Sequence, residues 1–395
     1  MKKKIAIITE QTNIFLGGAE RSVFELATAL SALGLEVEIL AATGQMNAKN
    51  IHILCRNNFG KRTCYFTFAK ALKKHLLENS YDIIHSVLPF EFADVYQPRG
   101  GSFTEAILRN AASYQNRLIG YYKKITAFAN FRRTMLLQAE RKLCRNPDGP
   151  VIAALSQYVA EQFRRHYGLG SERLVVIPNG IKTHKRVKTA EADRLRAQIL
   201  AQLGLKEADE PTLFLFAANN FRLKGLAALI KAMQFKTGQN TSRQSYLIVA
   251  GNGKTHKYRN MAKRFKVHTR IIFLGGLRNI QNALSIADVA VLPSFYDPSS
   301  RYTLEALAAG KPVITTRFNG AVDLFVNNRH GKIIDTPENI PALAEAINYF
   351  TDTENIRKAS QAIAADNIKE KVSITRAAGE LESLYDRILE KRRRR

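Results

Sequence analysis

The sequence has 395 residues, of which 46% are hydrophobic and 24% charged, and this balance excludes a wholly disordered chain. The length exceeds what one hydrophobic core usually organises and predicts two domains. Sixty Lys and Arg against 34 Asp and Glu give a formal net charge of +26, which favours a polyanionic partner: an anionic membrane, nucleic acid or an anionic substrate.

The beginning of the chain and its cysteines bear on location. The apolar run at residues 5–8 is too short for a signal peptide, and no stretch approaches the roughly 18 uncharged apolar residues of a spanning helix. Cys55, Cys64 and Cys144 are an odd number without metal-site spacing, which excludes a complete disulfide framework. We therefore expect a cytoplasmic protein, either soluble or attached to a membrane surface.

The first half of the chain alternates short apolar runs with helical stretches. Runs at residues 5–8, 37–40, 51–54 and 81–84 have the character of buried strands. Residues 19–33 carry apolar side chains at 23, 26, 27, 30 and 33, which is helical spacing. Repeated strand, helix, strand units predict a parallel α/β sheet.

A basic segment follows, with ten Lys or Arg against two Glu over residues 99–145. Within it, apolar residues recur at helical steps at Leu118, Tyr121, Ile125, Phe128 and Phe131, and cations lie between them at Arg117, Lys123, Lys124, Arg132 and Arg133. One interpretation is a basic amphipathic helix in an anionic membrane interface, so that the chain from Arg109 to Arg145 would bind the membrane. The other is a helix that packs on the core and presents a solvated basic face, and periodicity alone does not separate the two.

A second series of strands occupies the rest of the chain, at residues 151–155, 174–177, 213–217, 246–250, 271–274, 289–292 and 313–315. Residues 182–210 are polar and poor in strands, so we place the domain junction near residue 180. Both halves are predicted to be doubly wound. The last residues, Lys391 to Arg395, form a charge run typical of a disordered tail.

Three loops carry residues suited to binding a phosphorylated sugar. Gly17 and Gly18 follow the first strand and open a helix, where backbone amides favour an anion, although a glycine pair is more often only a turn. The loop lacks both the Gly-x-Gly-x-x-Gly fingerprint and a Walker lysine, which argues against a dehydrogenase and a P-loop nucleotidase. Arg222 and Lys224 follow the strand at 213–217, where two cations at the start of a helix favour a bound diphosphate.

The third loop runs from Asp297 through Pro298-Ser299-Ser300 and leads into a helix that contains Glu305. An acid on the loop and another about one turn into the helix can face a common crevice, and carboxylates accept hydrogen bonds from sugar and ribose hydroxyls. The alternative is an ordinary N-capping loop followed by a surface acid.

The eight-residue step from Asp297 to Glu305 resembles the Glu-x7-Glu motif of retaining family-4 glycosyltransferases of the GT-B fold. The segment 305–314, the Gly17-Gly18 loop, the Pro178-Asn179-Gly180-Ile181 junction and Phe273-Leu274-Gly275 match the family in order. Within the family the chain is most similar to the enzymes that glucosylate lipopolysaccharide core. The resemblance implies two Rossmann-like domains facing a central cleft: an acceptor domain at 1–180 and a donor domain at 181–370. A C-terminal helix at 371–395 would pack back toward the first.

The resemblance also implies roles for matching positions. Arg222 and Lys224 would neutralise the departing diphosphate, Asp297 would bind the transferred sugar, and Glu305 the ribose. Gly17, Gly18, Asn179 and the amides of Ser299, Ser300 and Arg301 would also contact the donor. The reaction would retain configuration by front-face attack and would need no metal or other cofactor, because cations and helix termini neutralise the charge.

The chain departs from the family pattern in two places. Asp297 stands where Glu is usual, and the stretch 97–102 lacks the His or Asp that many members place near the reacting carbon. His85, Asp94 and Arg99 are the acceptor-side candidates in its stead. For His85 the favoured alternative is a satisfied histidine at a strand end.

The leading hypothesis is therefore a transferase at the inner face of the plasma membrane. It would move a sugar, expected to be glucose, from a UDP-sugar to a lipid-linked or lipopolysaccharide-type glycan. A GDP-sugar donor is one alternative. A basic nucleic-acid-binding protein is a second, which no recognition helix, aromatic platform or zinc module favours. A phosphorylase or an inactive scaffold of the same fold is a third. We expect no nucleic-acid partner.

Overall fold

The computed structural model describes residues 2–13, 18–44, 48–55, 63–184, 187–235 and 244–394, with the backbone alone at Ala19 and Phe128. The chain divides into two compact units. Unit 1 contains Met1–Ala111, Asn116–Ile181 and Ser373–Arg395, and unit 2 contains Ala112–Gln115 and Lys182–Val372. These divisions lie one and two residues beyond the boundaries of 180 and 370 drawn from the sequence. The inclusion of Ala112–Gln115 in unit 2 had no sequence signal.

A parallel sheet forms the centre of unit 1. Its strands in the described chain are β1 (Lys4–Gln11), β2 (Glu36–Thr43), β3 (Ile51–Ile53), β4 (Ile83–Ser86), β5 (Val95–Tyr96), β6 (Val151–Ala154) and β7 (Leu174–Val176). They lie in the order β3-β2-β1-β4-β5-β6-β7, and every pair is parallel. The order reverses between β1 and β4, a point where doubly wound sheets bind ligands.

Helices cover this sheet because their apolar stripes match its buried faces. They are α1 (Gly18–Ala32), α2 (Tyr65–Glu78), α3 (Phe103–Ala112), α4 (Arg117–Thr126), α5 (Phe131–Arg145), α6 (Gln157–Tyr167) and the last helix of the chain, α15 (Ile374–Arg393). The stripe of α1 at Val23, Leu26 and Leu30 is buried together with Leu381 and Tyr385 of α15. Burial of each such side chain contributes about 1.5–3 kcal/mol, so α15 belongs to the core of unit 1.

Unit 2 repeats the architecture. Its strands are β8 (Thr212–Ala217), β9 (Ser245–Ala250), β10 (Ile271–Gly275), β11 (Val289–Leu292), β12 (Val313–Thr316) and β13 (Gly331–Ile334). They lie in the order β10-β9-β8-β11-β12-β13, all parallel. This is the Rossmann order, with its reversal between β8 and β11.

The helices of unit 2 alternate with these strands. They are α7 (Thr189–Leu203), α8 (Leu226–Ala232), α9 (His256–Arg264), α10 (Ile280–Ile286), α11 (Arg301–Ala308), α12 (Ile340–Tyr349), α13 (Thr353–Ala365) and α14 (Ile368–Lys371). The fold class expected from the sequence, two doubly wound parallel α/β domains, is confirmed.

Two short strands and one helix boundary differ from the sequence prediction. The pattern did not indicate β5, which has only two residues, or β13, which starts at a glycine. The single helix expected through Leu118 and Phe131 is wrong: α4 ends at Thr126, a short 3₁₀ turn follows, and α5 begins at Phe131. Asn130 caps α5 by accepting a hydrogen bond from Arg133 N at 3.0 Å, so it starts a new helix within an unbroken apolar period.

Candidate active site

Most of the donor residues predicted from the sequence lie after β8 and β11 in unit 2, at the carboxyl ends of these strands. These two neighbouring strands flank the point where the strand order reverses. The loop after β8 carries Arg222 and Lys224, and the loop after β11 carries Asp297. The backbone joins the loops, because Phe295 N donates to Leu223 O at 2.9 Å.

Lys224 and Asp297 form an ion pair. Lys224 Nζ lies 2.7 Å from Asp297 Oδ2 and also donates to Tyr296 O at 2.9 Å. Gly225, with φ of +81°, turns the chain into α8, and a Cβ there would lie 1.9 Å from Pro293 O. This close approach of backbone to backbone explains why glycine follows the lysine. The predicted phosphate cation and the predicted sugar acid are thus neighbours.

Arg222 lies against a different partner. Its guanidinium stacks 3.8 Å from the centroid of Tyr114 and donates to Ser113 Oγ, two residues of the short segment grouped with unit 2. Burial, and then the charge of Arg222, lower the pKa of Lys257. The contacts of Arg222 are therefore with Tyr114 and Ser113, whereas those of Lys224 are with Asp297 and Tyr296. Tyr114 was missed in the sequence, since an isolated tyrosine 108 positions away carries no local signal.

The loop from Asp297 to Ser300 is held against the loop after β12. Asp297 N donates to Phe318 O at 2.9 Å, and Gly320 N donates to Asp297 O at 2.9 Å. Ser300 then caps α11 by accepting a hydrogen bond from Thr303 N at 3.3 Å. Ser299 Oγ is buried, and no hydrogen-bond partner for it exists within the described part of the chain.

Glu305 is buried in the second turn of α11, 7% exposed. Its Oε1 lies 3.7 Å from Arg301 Nη2, one helical turn earlier. The ion pair offsets part of the cost of burying the carboxylate. The sequence had singled out Arg301 for its backbone amide, and the structure adds a side-chain contact with the second predicted acid.

In unit 1, Asn179 and Arg99 meet at α1. Gly18 is the exposed first residue of that helix, and Gly17 lies outside the described residues. Arg99 Nη1 donates to Ser22 Oγ at 2.7 Å and to Asn179 Oδ1 at 3.0 Å. Asn179 Oδ1 also accepts from Gly180 N at 3.0 Å. The predicted residues Asn179 and Arg99 thus cluster at α1, the helix that begins at Gly18, and Ser22 joins them without any sequence signal.

His85 is fully buried at the end of β4. Its Nδ1 lies 2.6 Å from the hydroxyl of Tyr385 in α15. Burial, and then the charge of Arg99, lower the pKa of His85 to about 3, so the imidazole is neutral at physiological pH. This position supports the alternative of a buried strand-end histidine rather than the acceptor-side assignment. The histidine is satisfied at Nδ1 alone, because its buried Nε2 has no hydrogen-bond partner among the described residues.

Asp94 does not lie with the other candidates. It precedes β5, accepts a hydrogen bond from Ile84 N at the beginning of β4 at 2.7 Å, and pairs with Arg392. In a parallel sheet this is the amino-terminal edge, whereas Ser22 and Asn179 lie toward the carboxyl-terminal edge. The structure therefore does not bring Asp94 together with Arg99 and Asn179, and its acceptor-side assignment gains no support from these contacts.

The apolar face predicted for the basic segment is exposed along α4. Leu118, Tyr121 and Ile125 are 79%, 67% and 55% exposed, and Lys123 and Lys124 beside them are exposed too. On α5, Phe131 is also exposed, while the side chain of Phe128 lies outside the described residues. The alternative of a core-packing helix is wrong for α4. None of the described helices combines the length and apolar character required to cross a bilayer.

Comparisons with known proteins agree with this architecture. The family model described as Glycosyltransferase Family 4 matches residues 16–185, and the model described as Glycosyl transferases group 1 matches residues 202–367. Lipopolysaccharide glucosyltransferase WaaG of Escherichia coli (strain K12) is 21% identical over 349 residues, 87% of this chain and 88% of the relative.

Solved structures show the same fold. A crystal structure of WaaG, described as a glycosyltransferase involved in lipopolysaccharide biosynthesis, has a TM-score of 0.73 at 19% identity and covers 97% of this chain and 99% of its own. Anabaena Alr3699/HepE in complex with UDP-glucose has a TM-score of 0.67 at 16% identity, with coverage of 97% and 99%. With one family model on each half and two Rossmann-like parallel-sheet units, this chain is a glycosyltransferase of the group 1 and family 4 kind, with the GT-B fold.

Proposed function

We propose that this glycosyltransferase moves a glucosyl group, with retention of configuration, from UDP-glucose to a lipid-linked or lipopolysaccharide-type glycan at the cytoplasmic face of the membrane. The observation that carries the donor side is the contact of Lys224 with Asp297 at the ends of β8 and β11. It brings a cation that can bind phosphate next to a carboxylate that can accept hydrogen bonds from sugar hydroxyls. The UDP-glucose bound to HepE and the name of WaaG support this choice of donor and acceptor.

Each donor residue has a proposed task. Lys224 and Arg222 bind the diphosphate, and Asp297 binds the hydroxyls of the transferred sugar. Glu305 binds the ribose, and the amide of Arg301, the first residue of α11, contacts the donor. The Ser300 amide is left out of this proposal because it donates to Asn319 Oδ1 at 3.2 Å. Ser299 supports this assignment, because its buried hydroxyl is without a hydrogen-bond partner among the described residues and can bond a ligand.

In unit 1 we propose that the cluster at the beginning of α1 binds a substrate group. The amide at Gly18, with Asn179 and Arg99 beside the helix, provides donors suited to an anion or a hydroxyl. Gly17, which lies outside the described residues, stays a predicted contact of the donor. Arg99 remains the acceptor-side candidate. His85 is left out of this proposal because it is buried.

The proposed reaction is a front-face displacement. The bond between the anomeric carbon and the diphosphate oxygen breaks, and a bond to the acceptor oxygen forms on the same face. The acceptor proton passes to the departing diphosphate oxygen, so UDP leaves carrying that proton. Lys224 and Arg222 stabilise the charge that develops on the diphosphate, and for this reason we propose that no metal is needed.

The acceptor side of the proposal depends on the exposed face of α4. An exposed stripe of Leu118, Tyr121 and Ile125 flanked by Lys123 and Lys124 matches a helix that lies in an anionic lipid interface. We propose that the surface from Arg109 to Arg145 holds the enzyme at the membrane, where a lipid-linked acceptor resides. The net charge of +26 favours the same anionic surface.

The experiment that tests the donor assignment is slow hydrolysis without acceptor across UDP-glucose, UDP-galactose, UDP-N-acetylglucosamine and GDP-mannose. We expect release of UDP and glucose from UDP-glucose, and no loss of rate when EDTA is added. Lys224→Ala and Arg222→Ala should each lower the rate about 100-fold or more, because each removes a charge that stabilises the leaving group. Lys231→Ala on α8 is the matched control.

Several results would contradict the proposal. If both Lys224→Ala and Arg222→Ala keep the original rate, the assigned diphosphate site is wrong. Preference for GDP-mannose would mean that the donor is a GDP-sugar. A product whose anomeric configuration is inverted, as measured by NMR, would exclude retention. Tight, salt-sensitive binding of duplex DNA without any sugar-nucleotide turnover would favour the nucleic-acid-binding alternative.

A further inference from the structure

Asn319 lies at the centre of the hydrogen bonds behind the Asp297 loop. It follows β12, caps a short 3₁₀ turn at Gly320–Leu324, and is fully buried. Its Oδ1 accepts from Ser300 N at 3.2 Å and from Ala321 N at 3.1 Å. Its Nδ2 donates to Thr303 Oγ1 at 2.9 Å and to Thr315 Oγ1 at 3.0 Å. All the hydrogen-bonding capacity of the amide Nδ2 and both lone-pair directions of Oδ1 are thereby used.

These bonds join two parts of the donor site. Thr315 lies in β12, while Ser300 and Thr303 form the cap and first turn of α11, the helix that carries Glu305. The backbone of Asn319 also forms a parallel bridge with Asp297. Asn319 therefore connects the segments that carry the two acids, Asp297 and Glu305, to the interior strand β12 of the sheet.

The chemistry of an amide is required for this arrangement. An aliphatic side chain would leave the buried Ser300 N and Ala321 N without the acceptor they use. It would also remove one donor from each threonine hydroxyl, although Thr315 Oγ1 would still donate to Leu292 O at 2.7 Å. A carboxylate would keep the acceptor but lose the two donors. It would also place a charge in a fully buried position.

We propose that Asn319 is a positioning residue for donor binding: it sets the placement of Asp297 and Glu305 and thereby the affinity for the nucleotide sugar. This inference rests on the proposed function, in which those two acids bind the sugar and the ribose. It adds a residue that contacts no substrate and acts through the loop and the first turn of α11. In the sequence, Asn319 is an asparagine in a loop, and its distance from Asp297 and Glu305 along the chain matches no motif that would single it out.

The experiment measures hydrolysis of UDP-glucose by the full chain, binding of UDP and thermal unfolding. We expect Asn319→Ala to raise the KM for UDP-glucose about tenfold or more and to weaken UDP binding by calorimetry. Asn282→Ala is the matched control, because Asn282 is also a buried amide of unit 2 and bonds Lys188 N and Glu191. It should lower the unfolding midpoint while the donor KM stays within twofold.

A milder pair of variants keeps the test valid if Asn319→Ala does not fold. Thr303→Val removes one of the four hydrogen bonds and should raise the donor KM two- to fivefold, while Thr303→Ser keeps the hydroxyl and should restore it. A donor KM unchanged in both Asn319→Ala and Thr303→Val would overturn the inference. So would an equal rise in Asn282→Ala, since that is the behaviour of a merely structural residue.

Failure of this inference is distinguishable from failure of the proposed function. Asp297→Asn and Glu305→Gln are measured in the same assay. If these two variants raise the donor KM and Asn319→Ala does not, only the positioning role is wrong. If the unchanged chain binds neither UDP nor GDP, the proposed function is wrong, and the inference fails with it.

Discussion

Lys224 Nζ lies 2.7 Å from Asp297 Oδ2, and the two side chains are only 19% and 13% exposed. The residues are 73 positions apart in the sequence, yet the adjacent strands β8 and β11 bring their loops together. In the proposed reaction the ammonium binds the diphosphate and the carboxylate binds the sugar. The same ammonium would contact both Asp297 and the diphosphate. Binding of the donor must therefore replace part of the contact between Lys224 and Asp297 with contacts to the diphosphate.

This relationship predicts opposite effects of Asp297→Asn on product binding and on turnover. Removal of the carboxylate releases Lys224 from an ion pair worth about 1 kcal/mol, which should tighten UDP binding about fivefold. Turnover of UDP-glucose should fall at least tenfold, because a charged acceptor for sugar hydroxyls is lost. Calorimetry with UDP and initial rates with UDP-glucose check the two parts. Weaker binding of UDP to Asp297→Asn would contradict the replacement of the Asp297 contact by the diphosphate.

Gly225→Ala tests whether the turn after Lys224 is needed for its position. Gly225 has φ of +81°, and an added Cβ would lie 1.9 Å from Pro293 O. A left-handed conformation alone costs a non-glycine residue about 1–2 kcal/mol, and the clash adds to it. We expect a loss of stability of several kcal/mol and a large loss of donor turnover, measured by denaturant unfolding and hydrolysis.

Gly204→Ala is the matched control for that substitution. Gly204 also has positive φ, at +68°, but an added Cβ would meet nothing within 4 Å. It should lose only about 1 kcal/mol of stability and keep its turnover. Equal effects of the two substitutions would mean that the contact with Pro293 has no importance.

Substitutions on α4 test the membrane surface. The triple change Leu118→Ser, Tyr121→Ser and Ile125→Ser should lower co-sedimentation with both neutral and anionic vesicles. Lys123→Glu with Lys124→Glu should lower binding to anionic vesicles alone, by about tenfold or more, since each basic residue near an anionic surface contributes about 1 kcal/mol.

Helix α2 offers the controls, because Lys70, Lys73 and Leu77 are exposed there as well. Lys70→Glu with Lys73→Glu matches the charge change, and Leu77→Ser matches the apolar change. The unchanged protein should bind anionic vesicles more tightly than neutral ones. Equal binding to both, or equal losses in the α2 and α4 variants, would remove the proposed lipid surface.

Glu140 predicts how the stability of unit 1 depends on pH. This fully buried carboxyl accepts hydrogen bonds from Tyr96, Tyr167 and Phe103 N. Burial raises the pKa of Glu140 to about 7, although these bonds oppose the shift. Because the folded pKa lies above the unfolded value of 4.5, the favourable contribution is present below about pH 4.5 and is lost as pH rises through about 7.

Glu140→Gln should remove this dependence, since the amide stays neutral and of equal size. Relative to the unchanged protein, the variant should gain about 3 kcal/mol in unfolding free energy between pH 4.5 and pH 8. Denaturant unfolding across that range measures the difference. Glu161→Gln, at an exposed acid paired with Arg164, is the control and should show no such trend. A constant difference between Glu140→Gln and the unchanged protein would contradict the assignment.

Much of the fold could be predicted because its strands are buried on both faces and appear as continuous apolar runs. The helix predicted at residues 19–33 corresponds to α1, and the strand predicted at 213–217 corresponds to β8. Ligand loops of parallel sheets follow the carboxyl ends of strands, so Lys224, Asp297 and Glu305 could be singled out from their places after β8 and β11. Local spacing was sufficient for these predictions because strand, turn and helix succeed one another in the chain.

Other features depend on contacts between distant parts of the chain. Tyr114 stacks on Arg222, Tyr385 bonds His85, and Asn319 bonds Ser300. None of these pairs has a spacing that a periodic pattern could show. The edge of the sheet at which Asp94 lies was not readable from the sequence for the same reason, since strand order is a property of the folded sheet.

The sequence by itself determined the succession of strands and helices, the basic charge and the order of the donor motif. Each of these is recorded in neighbouring residues, because backbone periodicity and turn chemistry are local. Only the tertiary structure decided that Lys224 pairs with Asp297, that His85 is buried, and that the apolar stripe of α4 is exposed. Those outcomes depend on which strands lie side by side and which helix faces find a partner, and packing alone determines both.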